Sequence, residues 1–142
     1  MADRQPPLIM GEELRRLRVP VAANTTINFH DLCCIDAGFL KPAADTAGAV
    51  GGLIALETVD NSGAANGAKS CQCFMGEARV PTPGATGAAI TAADLGKYAV
   101  CKDAVGVVQD GTETNNIKCG IIYDVSEVTS GWVKVRFFPN GG

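Results

Sequence analysis

The last stretch of the chain carries the clearest pattern of apolar and polar positions. In Trp132-Val133-Lys134-Val135-Arg136-Phe137-Phe138, Val133, Val135 and Phe137 share one side while Trp132, Lys134 and Arg136 share the other. Successive side chains of a strand point to opposite faces, so this spacing predicts a strand with one face on a core. Thr129-Ser130-Gly131 turns the chain into it. Shorter β-favouring runs precede it around Thr25, Thr26, Ile27 and Phe29, and at residues 32–35, 39–41, 53–58, 68–75, 77–80, 98–102, 105–109 and 117–125. Eight or nine short strands at such intervals predict an all-β fold, a small antiparallel β-sandwich or barrel.

The breaks between these runs have turn chemistry. Asp36-Ala37-Gly38 predicts a tight hairpin with Gly38 in the left-handed position. Residues 45–52 read as a small-residue loop and 60–67 as a surface turn rich in Asp, Asn, Ser and Gly. Pro81-Thr82-Pro83-Gly84 interrupts the β pattern, and Thr91-Ala92-Ala93-Asp94-Leu95-Gly96 reads as one short helical turn, with Thr91 as cap, accepting from a backbone N–H. In residues 68–75, Lys69, Cys71, Cys73 and Met75 face one way and Ser70, Gln72 and Phe74 the other. That alternation does not sort polar from apolar, so it leaves the core face open.

Residues 1–20 differ and are read as an extended N-terminal arm, with residues 21–142 as the β-domain. Pro6-Pro7 favours an extended start. Residues 12–18 predict one or two helical turns, with Glu12 placed to pair with Arg15 and Arg16 before Pro20 ends them. Leu8, Ile9, Met10, Leu14 and Leu17 supply apolar side chains that suit contact with a neighbour better than a solvated tail.

Composition narrows the picture. A chain of 142 residues fits one domain with a real core. Its 17 glycines and 6% aromatics mean that the interior is filled by Val, Ile, Leu, Ala and Cys, so the core should be thin. A net charge of −3 without a basic stripe argues against nucleic acid as a partner. No apolar run approaches the roughly 20 residues of a membrane span, so no membrane partner is expected. The opening MADRQPPLIM lacks the pattern of a secretory leader, which predicts the cytosol as the place of synthesis. Cys33, Cys34, Cys71, Cys73, Cys101 and Cys119 lack the spacing of structural zinc ligands, and His30 is the single histidine. Buried reduced thiols are the expected state.

No constellation in the sequence predicts catalysis, a metal or a cofactor. His30 and Cys33 or Cys34 would stand roughly 10 Å apart along an extended segment, beyond hydrogen-bond reach. The aspartates fall singly, mostly beside turn residues, where they hold local backbone. Gly48-Ala49-Val50-Gly51-Gly52 lacks the Lys and Ser or Thr of a phosphate loop. The chain therefore reads as a protein that works by surface contact.

Ordered phrases give that contact a candidate setting: Val21-Ala22-Ala23-Asn24-Thr25-Thr26-Ile27, then Ile35-Asp36-Ala37-Gly38-Phe39-Leu40-Lys41-Pro42-Ala43-Ala44-Asp45-Thr46-Ala47-Gly48. After these come Glu57-Thr58-Val59-Asp60-Asn61-Ser62-Gly63-Ala64-Ala65-Asn66-Gly67 and Ile90-Thr91-Ala92-Ala93-Asp94-Leu95-Gly96-Lys97. With the closing strand through Phe138, they span about four-fifths of the chain. In this order they resemble the capsid cement, or decoration, proteins of tailed bacteriophages. The resemblance implies a non-enzymatic virion protein made in the bacterial cytoplasm. It would sit on the outer capsid surface as a homotrimer and clamp neighbouring major capsid protein subunits. It also implies a capsid-binding arm, which in this chain would use Leu8, Ile9, Leu14, Arg15, Arg16, Leu17 and Arg18. Trp132, Lys134 and Arg136 form a candidate subunit interface. The six cysteines are not expected of that family. Two other readings remain: a different virion part, such as a head fibre base or tail component, and a carbohydrate-binding β-module using Trp132 and Tyr98.

Overall fold

The computed structural model describes residues 16–83 and 88–137. Its strands are β1 (Arg16–Pro20), β2 (Thr25–Ile27), β3 (Leu32–Asp36), β4 (Phe39–Pro42), β5 (Val50–Ala55), β6 (Val59–Asn61), β7 (Ser70–Phe74), β8 (Glu77–Pro81), β9 (Tyr98–Cys101), β10 (Val107–Gln109), β11 (Lys118–Asp124) and β12 (Trp132–Phe137). The fold is nearly all β, with antiparallel sheets in a sandwich-like arrangement. One sheet has the order β1-β7-β5-β3-β4, the other β10-β9-β11-β12-β8, and β2 pairs with β6 as a separate ribbon. The chain thus finishes the first sheet before starting the second, crossing between them at Met75 and Gly76.

The two sheets enclose one core, built from residues such as Leu32, Cys34, Ile54, Cys119, Val135 and Phe137. A second core lies on the opposite face of the first sheet, where Cys33, Leu53, Cys71 and Cys73 meet Ile27 and Val59 of the ribbon. A parallel bridge between Val21 and Leu40 curls the ends of this sheet toward each other around that second core. The first sheet is therefore covered on both faces. This explains its sequence: a strand buried on two sides has no polar face, so Leu32-Cys33-Cys34-Ile35 and Leu53-Ile54-Ala55 run apolar without alternation. In β7 the core face left open by sequence is that of Cys71 and Cys73, while Phe74 packs against the core between the sheets. By contrast, β12 buries Val133, Val135 and Phe137 and wets the other side, as its alternation predicts. Burial of each of those three side chains is worth roughly 1.5–3 kcal/mol.

Small residues let the sheets approach. Gly51 and Gly52 of β5 face Cys101 and Cys119, and a Cβ built on Gly52 would stand 2.3 Å from the Cβ of Cys119. The thin core expected from composition is realised at this contact. The hairpin between β3 and β4 is a two-residue loop in which both Ala37 (φ 52°) and Gly38 (φ 89°) are left-handed. That is the primed turn whose twist matches the strands it joins.

Several expectations are corrected. Of the helical turns predicted over residues 12–18, the described part, Arg16 to Arg18, is strand. Arg16, Leu17, Arg18, Val19 and Pro20 pair with Phe74, Cys73, Gln72, Cys71 and Ser70, and Val19 is buried. One turn of an isolated helix cannot compete with five paired residues and a buried valine. Residues 16–20, assigned to the arm, are thus part of the first sheet. Residues 60–67 do not form a turn throughout, because β6 takes Asp60 and Asn61. The strand expected at 53–58 runs from Val50 to Ala55. The described residues hold twelve strands instead of eight or nine, and two short 3-10 turns, Ala92–Asp94 and Val128–Ser130, instead of one. At the first of these, the Asp94 carboxylate accepts from both the Thr91 N–H (2.8 Å) and the Thr91 hydroxyl (3.1 Å), within the capping box that Thr91 and Asp94 form.

Candidate functional site

Strand β12 lies between β8 and β11, which sets its outer face beside theirs. Arg136 pairs in register with Glu77, and its guanidinium bonds that carboxylate at 2.9 Å. Lys134 reaches Asp124 at 3.7 Å. Arg79 of β8 forms two hydrogen bonds to Glu127, at 2.8 and 3.2 Å, and lays its guanidinium 4.0 Å from the Trp132 ring centroid. Arg136 also stands over the Tyr123 ring. Trp132, Lys134 and Arg136 therefore do share one face, as alternation predicts. The sequence reading missed that their charges are balanced by Glu77, Asp124 and Glu127. The alternation Glu77-Ala78-Arg79-Val80 was the available signal for half of this set. The face offers paired charges and rings, not free cations.

These contacts tune the carboxylates. Bonds from Arg79 hold Glu127 below its ordinary pKa, and the hydroxyl and backbone N–H of Ser126 do the same for Asp124. Desolvation, followed by the Glu77 carboxylate, pushes the Tyr123 hydroxyl up. Water screens these exposed ion pairs and leaves them little weight in stability, so the ladder orients side chains more than it holds the fold.

The arm residues separate into two groups. Leu8, Ile9, Leu14 and Arg15 lie outside the described residues. Arg16, Leu17 and Arg18 are exposed on β1, an edge strand. Arg18 donates to the Ser70 hydroxyl at 3.1 Å and lies 3.6 Å from Glu57.

Where the two sheets diverge, an apolar groove of about 530 Å³ opens beside the crossing at Met75 and Gly76. Ile54, Phe74 and Val80 of the inter-sheet core form part of its wall, and Trp132, His30, Val105 and Arg79 also line it. His30 is exposed, with a left-handed φ of 73° and its ring 3.7 Å from that of Phe29. Phe29 and Val105 are 54% and 62% exposed, so the groove opens beside uncovered apolar surface. No local sequence pattern marks this feature, because its parts meet only when the sheets pack.

The chemistry-bearing residues are held apart or occupied. Cys33 lies inside the second core, while His30 sits on the surface. Burial raises the thiols of Cys33, Cys34, Cys71, Cys73 and Cys119, Cys73 up to about 12. They are therefore protonated, and all six cysteines are free. The aspartates hold turns: Asp31 accepts the Asn28 N–H, Asp103 accepts Val105 and Gly106, and Asp124 accepts Ser126. Among the described residues no three His, Cys, Asp or Glu side chains gather to hold a metal. Trp132 and Tyr98 do not form one aromatic platform. Tyr98 pairs with Ile121, which pairs with Arg136 at the other end of β12, and Lys118 stands 4.5 Å over the Tyr98 ring. Compared with known protein families, with curated proteins and with solved structures, the chain matches none.

Proposed function

We propose that this chain is a structural virion protein, a cement protein that binds the outer surface of a phage head and stabilises contacts between major capsid protein subunits. The ordered phrases from Val21 to Phe138 suggest the setting, and edge strand β1 is the observation that supports the mode of action. Its exposed Arg16, Leu17 and Arg18, three of the residues assigned to the capsid-binding arm, stand at the border of a two-core sheet. An edge strand presents backbone donors and acceptors to an added segment, and such pairing gives affinity without a deep pocket. A homotrimer gains further, since a second and third contact form at high effective concentration. The paired-charge face around Trp132, Lys134 and Arg136 then serves as a subunit contact whose charges are already neutralised.

The direct test is binding of the purified chain to expanded shells assembled from the companion major capsid protein. Saturable binding, with protease protection of residues 1–20 on the shell, is the expected result. The combined changes Arg16→Glu, Leu17→Asp and Arg18→Glu should abolish it. Shells that take up no protein would overturn the proposal.

A further inference from the structure

Strand β8 ends the second sheet, with β12 on one side and no described strand on the other. Its register fixes which backbone groups are left over. The Phe137 N–H donates to the Gly76 carbonyl and the Thr82 N–H to the Gly131 carbonyl. Backbone groups alternate in direction along an antiparallel strand, so Ala78 and Val80 turn theirs to β12 while Glu77 and Arg79 turn theirs outward. Among the described residues, no group outside the sheet bonds the backbone of Glu77 or Arg79. The apolar groove runs along this open edge, since Ala78, Arg79, Val80 and Pro81 line it together with Leu56 and Phe74.

An edge of this kind accepts an added strand, and its charges fit a second copy of itself. We infer that two copies of this chain pair antiparallel through β8 about a two-fold axis at Ala78, joining their second sheets into one. That axis sets Glu77 of each copy opposite Arg79 of the partner subunit, and opposite charges directly across a ladder favour the pair. The backbone agrees with this register. Glu77 and Arg79, whose groups point outward, meet as hydrogen-bonded pairs, and Ala78, already turned to β12, takes the non-hydrogen-bonded position on the axis. Within each copy Arg136 bonds Glu77 and Arg79 bonds Glu127, so the joint extends a row of alternating sign. Edge strand β1 lacks this fit, because Arg16 and Arg18 would meet like charges in a second copy. The joint uses the same patch on both copies and therefore closes. It is additional to the homotrimer and the capsid contact proposed above.

Charge-reversed full-length chains, followed by analytical ultracentrifugation, test the register. Glu77→Arg places Arg against Arg across the axis, and Arg79→Glu places Glu against Glu. Each variant alone should associate roughly tenfold more weakly than the unaltered chain, since both cross-strand pairs turn repulsive. An equimolar mixture of the two should regain the lost association, because a mixed pair restores an opposite charge at every position. Loss of structure in either variant would not be cured by mixing. Ala78→Cys supplies a second reading. Residues opposed in a non-hydrogen-bonded pair stand about 4.5 Å apart at Cα, within the span of a disulfide, so mild oxidation should link two chains of this variant. Arg79→Cys, off the axis, should not link, and the six native thiols are buried. A mixture that associates no better than its components, or an Ala78→Cys chain that stays unlinked, would overturn the inference. No shell enters either measurement, so their failure leaves the capsid proposal where it stood.

Discussion

Gly52 and Cys119 meet across the sheets so closely that a methyl group on Gly52 would stand 2.3 Å from the Cys119 Cβ and 3.1 Å from its Cα. One of those obstacles is backbone, which a rotamer change cannot move. Gly52→Ala should therefore destabilise the fold by about 3 kcal/mol, the upper range for overpacking a tight core. Cys119→Gly in the same chain should recover part of that loss, because it removes the nearer atom. Chemical denaturation of the two single variants and the double variant measures the coupling.

Asn61 is wholly buried, and its amide donates to the carbonyls of Ala22 (2.9 Å), Ala65 (3.1 Å) and Val21 (3.4 Å). Replacing it with Ala takes the donor from the carbonyl of buried Ala22, while the Val21 and Ala65 carbonyls keep the N–H groups of Gly67 and Ala68, and this should cost about 2 kcal/mol. Asn61→Asp should cost more, since it aims carboxylate oxygen at carbonyl oxygen. Urea unfolding at neutral pH checks both changes.

Stability should fall in acid and stay level near neutrality. Glu127, Asp124 and Asp60 have pKa values below their ordinary ones because of Arg79, Ser126 and Ser62 respectively. A depressed folded-state pKa stabilises the fold above the unfolded-state pKa, and that contribution disappears as pH falls through the folded value. The decline should begin around pH 4 and continue below it. Glu127→Gln should flatten part of the curve. Urea midpoints taken across pH would contradict this if they rose with acidification.

The thiols should resist modification in the folded state. Burial holds Cys73 and Cys33 far from thiolate form, and both lie in the second core. A thiol-titrating reagent at mildly alkaline pH should react slowly with native protein and count six groups in denaturant. Reductant should leave the unfolding temperature unchanged, because all six cysteines are free.

The legible parts of the sequence were those with one wet face. Strand β12 and the turn at Ala37 and Gly38 followed directly from alternation and turn chemistry. Strand β7 did not, because Cys71 and Cys73 serve one core while Phe74 packs on the other. Asn61 was misread for a related reason. Asn among Asp, Ser and Gly suggests an exposed turn, yet here its amide satisfies backbone carbonyls in the interior. Strand β1 was hidden because Arg16 and Arg18 suit a helix surface as well as a sheet edge. The groove was not legible at all, since Phe74, Trp132 and Val105 are brought together only by tertiary packing.

Cys33 and Cys34 point into different compartments of the same protein. In an ordinary amphipathic strand, sliding by one position would put apolar groups into water, and solvent would forbid it. Strand β3 has no such guard, since a slid thiol simply finds the other dry side. Alignment must therefore be enforced by shape: the bulk of Leu32 and Ile35, and the two-residue bend that fixes Asp36 opposite Phe39. A longer linker at that bend would be expected to yield misaligned yet compact chains, so the bend works as the key to correct threading.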